Sequence, residues 1–207
     1  LSAPLERIRA LCATLGACAE NMDALRAAHP IATATRSAGN GNTPLWGGTV
    51  GTQASKINGE FYWFDEIEPV YGELDQLIRY APVDVHASVF ADGRIQALAP
   101  HIHRLRAAYE RDKELIQARD LVEADDGRER LKSTIEHESY WAFGEELRRA
   151  LDGARHVLVA GSGPLPLTAL CIGAALDGQV TCIERDAECH LLGRELLAMS
   201  GRIDHFD

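Results

Sequence analysis

The stretch "HVLVAGSGPLPLTALCIGAAL", residues 156–176, decides how this sequence is read. It opens with a short apolar run suited to a buried strand and breaks at Gly161-Ser162-Gly163. After two prolines, Pro164 and Pro166, it resumes as an apolar segment rich in small residues. Apolar strand, glycine turn and close-packing helix are the first parts of a βαβ unit. "QVTCIE" (179–184) supplies a second strand. "DAECHLLGRELLAMSG" (186–201) supplies a second helix, with Asp186 at the N-cap and Gly201 beyond the end. The pattern predicts the first half of a doubly wound α/β domain, starting at residue 154.

Upstream of that point the period is helical. Residues 2–28 place Leu5, Ile8, Leu11, Leu15, Met22 and Leu25 on one amphipathic face, with a break expected at Gly16. A Gly/Thr/Ser/Asn-rich stretch at about 30–60 reads as a long loop or a lid. Helical spacing returns with Leu74, Leu77 and Ile78 and stops at Pro82. Residues 95–124 form the longest helix candidate, and 127–153 another that ends at Gly153. The expected organisation is a helical N-terminal domain over 1–153, followed over 154–207 by the start of a Rossmann domain. The chain opens at Leu1 and closes at "GRIDHFD", where a third strand is expected to begin, so the α/β part reads as truncated. Two parallel strands with open edges are not stable alone. Further chain or a partner, a homodimer among the options, is expected to complete the sheet.

Composition narrows the function classes. The formal charge is -10, and the arginines lie among acids on apparent helices rather than in a basic stripe, which argues against a nucleic-acid surface. Cys12, Cys18, Cys171, Cys182 and Cys189 form no CxxC pair and point to a reducing compartment without disulfides. The sequence has neither a membrane-spanning apolar run nor a signal-peptide pattern. A cytoplasmic protein without a membrane partner is the expectation.

The glycine corner carries the chemistry. In this fold the ligand sits beyond the carboxyl ends of the strands, and Gly161 and Gly163 let the backbone approach it. Glu184, about 20 residues further on at the end of the second strand, is placed to accept hydrogen bonds from both hydroxyls of a ribose. A dinucleotide site would want a third glycine where Pro166 stands. It would also want free N–H groups in the first helical turn, where Pro164 and Pro166 have none. The corner suits a nucleoside without phosphate, and S-adenosylmethionine fits that description.

"VLVAGSGPLPLTAL" resembles the signature of nicotianamine synthases and their bacterial opine-metallophore relatives. In that family a G-S-G-P-L-P run opens the S-adenosylmethionine site. The resemblance extends over about residues 70–207. It includes a Leu-rich helix with two glutamates four apart, matched by Glu110 and Glu114, and a tyrosine shortly before the glycine strand, matched by Tyr140. Residues 30–69 do not share it, and "IEHES" replaces the family's aromatic run before that tyrosine. The resemblance implies a class I methyltransferase-like Rossmann domain, only its first half present, preceded by an α-helical domain. It also implies transfer of the 3-amino-3-carboxypropyl group onto an amine, with release of methylthioadenosine in the making of a metallophore precursor. Glu114 would take or hold the amine's proton, Tyr140 would orient the amine, and Glu110 would assist. Gly161, Ser162, Gly163, Pro164, Leu165, Glu184 and Arg185 would bind S-adenosylmethionine.

Several readings compete with this one. The acceptor could be histidine, another amino acid or amine, or a second S-adenosylmethionine. Attack by the cofactor's own α-amine would instead give azetidine-2-carboxylate. Methyl transfer to a small molecule would leave S-adenosylhomocysteine, and a non-catalytic binding protein would turn over nothing. Taken alone, glutamates four apart beside Arg111 and Lys113 read as a solvated helix face, and Tyr140 as a core aromatic. His101 and His103, two apart, point to different helix faces, and no ligand spacing for a metal accompanies them or His137. Ser162 lacks the surroundings of a hydrolase elbow. Trp46, Trp63 and Trp141 read as core or lid anchors.

Overall fold

A computed structural model of the chain describes residues 3–28, 64–65, 67–135, 138–176 and 178–201, the side chains of 138–141 excepted. The loop read at about 30–60 lies outside the described residues, as do Trp46, Trp63 and His137 and the side chains of Tyr140 and Trp141. Contacts divide the chain into two compact units, with the described residues up to Glu110 in one and those from Arg111 in the other. Among the described residues the fold is mostly helical, with one small parallel sheet.

The first unit holds α1 (Ala3–Glu20), α2 (Met22–Ala28), α3 (Glu68–Arg79), α4 (Val83–Ala91) and the first part of α5 (Gly93–Glu123). Leu5, Ile8, Leu11 and Leu15 of α1 are buried together with Phe64, Ile67, Leu74, Val85, Ile95 and Leu105, as their helical spacing predicts. Gly16 does not break α1. A Cβ there would meet Leu98 Cδ2 at 2.7 Å, so the glycine serves close packing against α5. The break falls at Asn21, whose Nδ2 donates to Ala17 O at 2.9 Å. Asp92 ends α4 and caps α5, accepting from Arg94 N and Ile95 N, and it is paired with Arg9.

The second unit contains the rest of α5, α6 (Gly127–Ile135), α7 (Glu138–Ala150), β1 (His156–Ala160), α8 (Leu167–Ala175), β2 (Gln179–Ile183) and α9 (Ala187–Met199). β1 and β2 are parallel, with His156 opposite Gln179 and Ala160 opposite Ile183. The strand–helix–strand–helix order read from residues 156–201 is the one observed. On one face of the sheet Val157, Val159, Val180 and Cys182 pack with Ala169 and Ile172 of α8 and with Leu147 and Leu151. On the other face Leu158 and Ile183 stay exposed. A second core joins Ala118 and Leu121 of α5 to Leu131, Leu165, Leu167, Leu170, Leu196 and Leu197. The helix expected over 127–153 is described as α6 and α7, on either side of residues 136–137, which lie outside the described residues; within α6, Thr134 Oγ1 donates back to Arg130 O at 2.9 Å. Among the described residues no helix is long and apolar enough to cross a membrane, and all five cysteines are free.

Candidate cofactor site

The turn after β1 is built by its glycines. Gly161 and Gly163 have φ of 72° and 70°, in the left-handed region that L side chains rarely adopt. A Cβ on Gly161 would meet nothing within 4 Å among the described residues, whereas one on Gly163 would lie 2.8 Å from Glu114 Oε2. Gly163 therefore has two reasons to be glycine, its dihedral and the carboxylate that occupies the space beside it. Leu165 anchors the turn by burying its side chain in the core formed with α5, α6, α8 and α9, and Pro164 is buried beside it. Ser162 is half-buried and Arg185 exposed.

Three backbone donors of this corner have internal partners. Gly161 N donates to Ile183 O at 2.7 Å, Gly163 N to Glu184 Oε2 at 3.0 Å, and Leu167 N to Leu165 O at 2.8 Å. Pro164 and Pro166 have no N–H to give. α8 starts from Pro166 without a side-chain cap. An anion at the turn would meet the Glu184 carboxylate, which already occupies the Gly163 N–H.

Glu184 is held in place by the turn it serves. Oε1 accepts from Asp186 N at 2.8 Å while Oε2 accepts from Gly163 N. These backbone bonds, that from Asp186 foremost, hold its pKa below the ordinary carboxylate value. Each carboxylate oxygen has a further lone pair, so two ribose hydroxyls could still donate to it.

α5 reaches the same corner with two side chains. Glu114 meets Gly163, as described above. Arg111, one turn earlier, donates to Asp186 Oδ2 at 2.6 Å and to the fully buried Asp112 at 3.0 Å. Asp186 Oδ1 in turn caps α9 by accepting from Glu188 N and Cys189 N. Arg111 and these N–H groups draw the Asp186 pKa down to about 2, the guanidinium being the largest cause. A second pair, Arg119 with Glu188, also ties α5 to α9. α9 comes close to the turn at Gly193, where a Cβ would lie 2.8 Å from Gly163 O.

The expected site residues are therefore distributed unevenly. Gly163, Glu184 and Glu114 come together at one backbone position. Glu110 belongs with the first unit, where it is exposed and accepts from Arg106 Nε at 2.6 Å across one helical turn. Tyr140 lies on α7, with its side chain outside the described ones. Among the described residues no three His, Cys, Asp or Glu side chains are grouped to hold a metal. Sequence reading missed Arg111 and Gly193. An arginine beside acids on a helix and a glycine inside one carry no local signal, since both roles arise from what the fold brings against them.

Comparison with known proteins finds no match to any family model, any curated protein or any solved structure.

Proposed function

We propose that the protein is an S-adenosylmethionine-dependent 3-amino-3-carboxypropyl transferase, built on a class I methyltransferase-like α/β half and acting on a small amine or amino acid. The observation that carries this reading is the glycine corner, where Gly161 N and Gly163 N are spent on internal partners and two carboxylates, Glu114 and Glu184, meet at Gly163. Such a corner favours a cation bearing a ribose and disfavours a pyrophosphate. The G-S-G-P-L-P run and its resemblance to nicotianamine synthases support the same choice, and direct the chemistry to the aminocarboxypropyl group.

When bound, S-adenosylmethionine supplies an electrophilic Cγ, and its bond to sulfur breaks as an amine nitrogen bonds to that carbon, with methylthioadenosine leaving. Glu184 holds the ribose and, together with Gly161 and Gly163, sets the depth of the nucleoside. Glu114 accepts the proton that the amine gives up, or holds it there until attack. Tyr140 is assigned the role of orienting that amine. The residues choose among the sulfonium's three carbons by where they place the nucleophile, since only in-line approach is productive.

Ligand selectivity tests the reading. S-adenosylmethionine and methylthioadenosine are expected to raise the melting temperature, while NAD and ATP at the same concentration leave it unchanged. Stabilisation by NAD or ATP, with none by S-adenosylmethionine, would overturn it.

A further inference from the structure

Gln117 is more than nine-tenths buried on α5, and its Oε1 has no hydrogen-bond partner among the described residues. A buried amide oxygen without a donor is costly, and native proteins rarely leave one so. A leucine or methionine would fill the same space without that cost. The presence of an amide at this position points to a donor that arrives with a ligand.

Its place on the helix says which ligand. Gln117 follows Glu114 by one turn on the same face of α5, and Glu114 is the residue whose carboxylate abuts Gly163. Ala118 and Leu121, adjoining on that side, pack with Leu165 and Leu167, which flank the corner in sequence. The carbonyl can only accept, so its partner must be a donor, and the neighbouring carboxylate favours one that carries positive charge. Ribose hydroxyls already have Glu184.

We infer that Gln117 is a ligand-binding residue whose Oε1 accepts a hydrogen bond from the ammonium group of the bound amino-acid moiety. This rests on reading the corner as an S-adenosylmethionine site. Gln117 then fixes the aminocarboxypropyl arm, and Glu114 lies one turn along α5 from the residue that holds it.

The test compares S-adenosylmethionine with methylthioadenosine, which keeps the nucleoside and sulfur but lacks the amino acid. Binding of each is measured by calorimetry to the wild type, Gln117→Met and Gln117→Glu, with the melting temperature of each free protein recorded. Gln117→Met is expected to weaken S-adenosylmethionine by about 10- to 100-fold, to leave methylthioadenosine unchanged, and to raise the melting temperature of the free protein. Gln117→Glu, which keeps an acceptor, is expected to retain S-adenosylmethionine binding. The inference is overturned if Gln117→Met binds S-adenosylmethionine as the wild type does, weakens both nucleosides alike, or melts lower than the wild type. A wild type that binds neither nucleoside would instead overturn the S-adenosylmethionine reading itself.

Discussion

Gly163 shows how one backbone position can be constrained twice, by its dihedral and by a neighbouring carboxylate. Its neighbour in the turn, Gly161, has the same left-handed φ but nothing within 4 Å of an added Cβ among the described residues, so the two separate strain from contact. Gly161→Ala is expected to lower stability by about 1 to 2 kcal/mol through backbone strain. Gly163→Ala should cost more, because its new methyl must displace the Glu114 carboxylate, and it should lose S-adenosylmethionine binding as well. Equal losses of stability in thermal unfolding would show that the Glu114 contact contributes nothing. Acid tests a second residue. Asp186 and Glu184 both have folded pKa values below their ordinary ones, so the stability they contribute is fully present above the ordinary carboxylate range and is lost as pH falls. For Asp186 that loss runs from 3.8 down to about 2. Asp186→Asn keeps a capping oxygen but forgoes the ion pair with Arg111. Urea midpoints of wild type and variant should therefore converge as pH drops through that window, and a constant gap would contradict the assignment. At this scale the sequence was legible where a residue's role is local. Gly161, Gly163 and Glu184 follow from strand, turn and spacing, while Glu114 was indicated only by the resemblance, its helix-surface pattern being that of any solvated face.

Elements are positioned by contacts that periodicity does not encode. Among helices, α9 illustrates this best. Its start at Asp186 and its end before Gly201 are written in capping residues, yet its approach to the turn depends on Gly193. Alanine is the better helix former by about 1 kcal/mol, so on propensity alone Gly193→Ala would stabilise. With Gly163 O 2.8 Å from the added carbon, the sign is expected to reverse, to a net loss of about 1 to 3 kcal/mol with weakened cofactor binding. A more stable variant with intact binding would mean that α9 and the turn can part without consequence. α5 is joined to α9 through Arg111–Asp186 and Arg119–Glu188. A double-mutant cycle on Arg111 and Asp186 should return a favourable coupling, modest because the pair is partly solvated. No coupling would remove Arg111 from the account of how Asp186 and the start of α9 are held against α5. The same blindness to tertiary context explains Gly16: a glycine in a helical pattern reads as a break until Leu98 is seen packing over it.

In the whole molecule, two changes of organisation fall at different places. Composition shifts at residue 154, where helical period gives way to a strand, and that shift is plain in the sequence. The division of contacts falls earlier, between Glu110 and Arg111, inside α5, which continues as helix across it. Only long-range packing marks it, and it sorts two glutamates one turn apart into different units: Glu110 to a surface ion pair, Glu114 to the corner. The α/β part presents one covered and one open sheet face, so its βαβ unit was legible from residues 156–184 alone. What the proposed transferase does with its ligand is decided by which carbon of the sulfonium is attacked, and one measurement addresses this directly. The protein is incubated with S-adenosylmethionine carrying a deuterated methyl group, alone and with histidine, and the nucleoside product is identified by mass spectrometry. The account predicts methylthioadenosine that retains all of the label, at a rate sharply reduced in Glu114→Gln. S-adenosylhomocysteine, with the label in a second product, would contradict it.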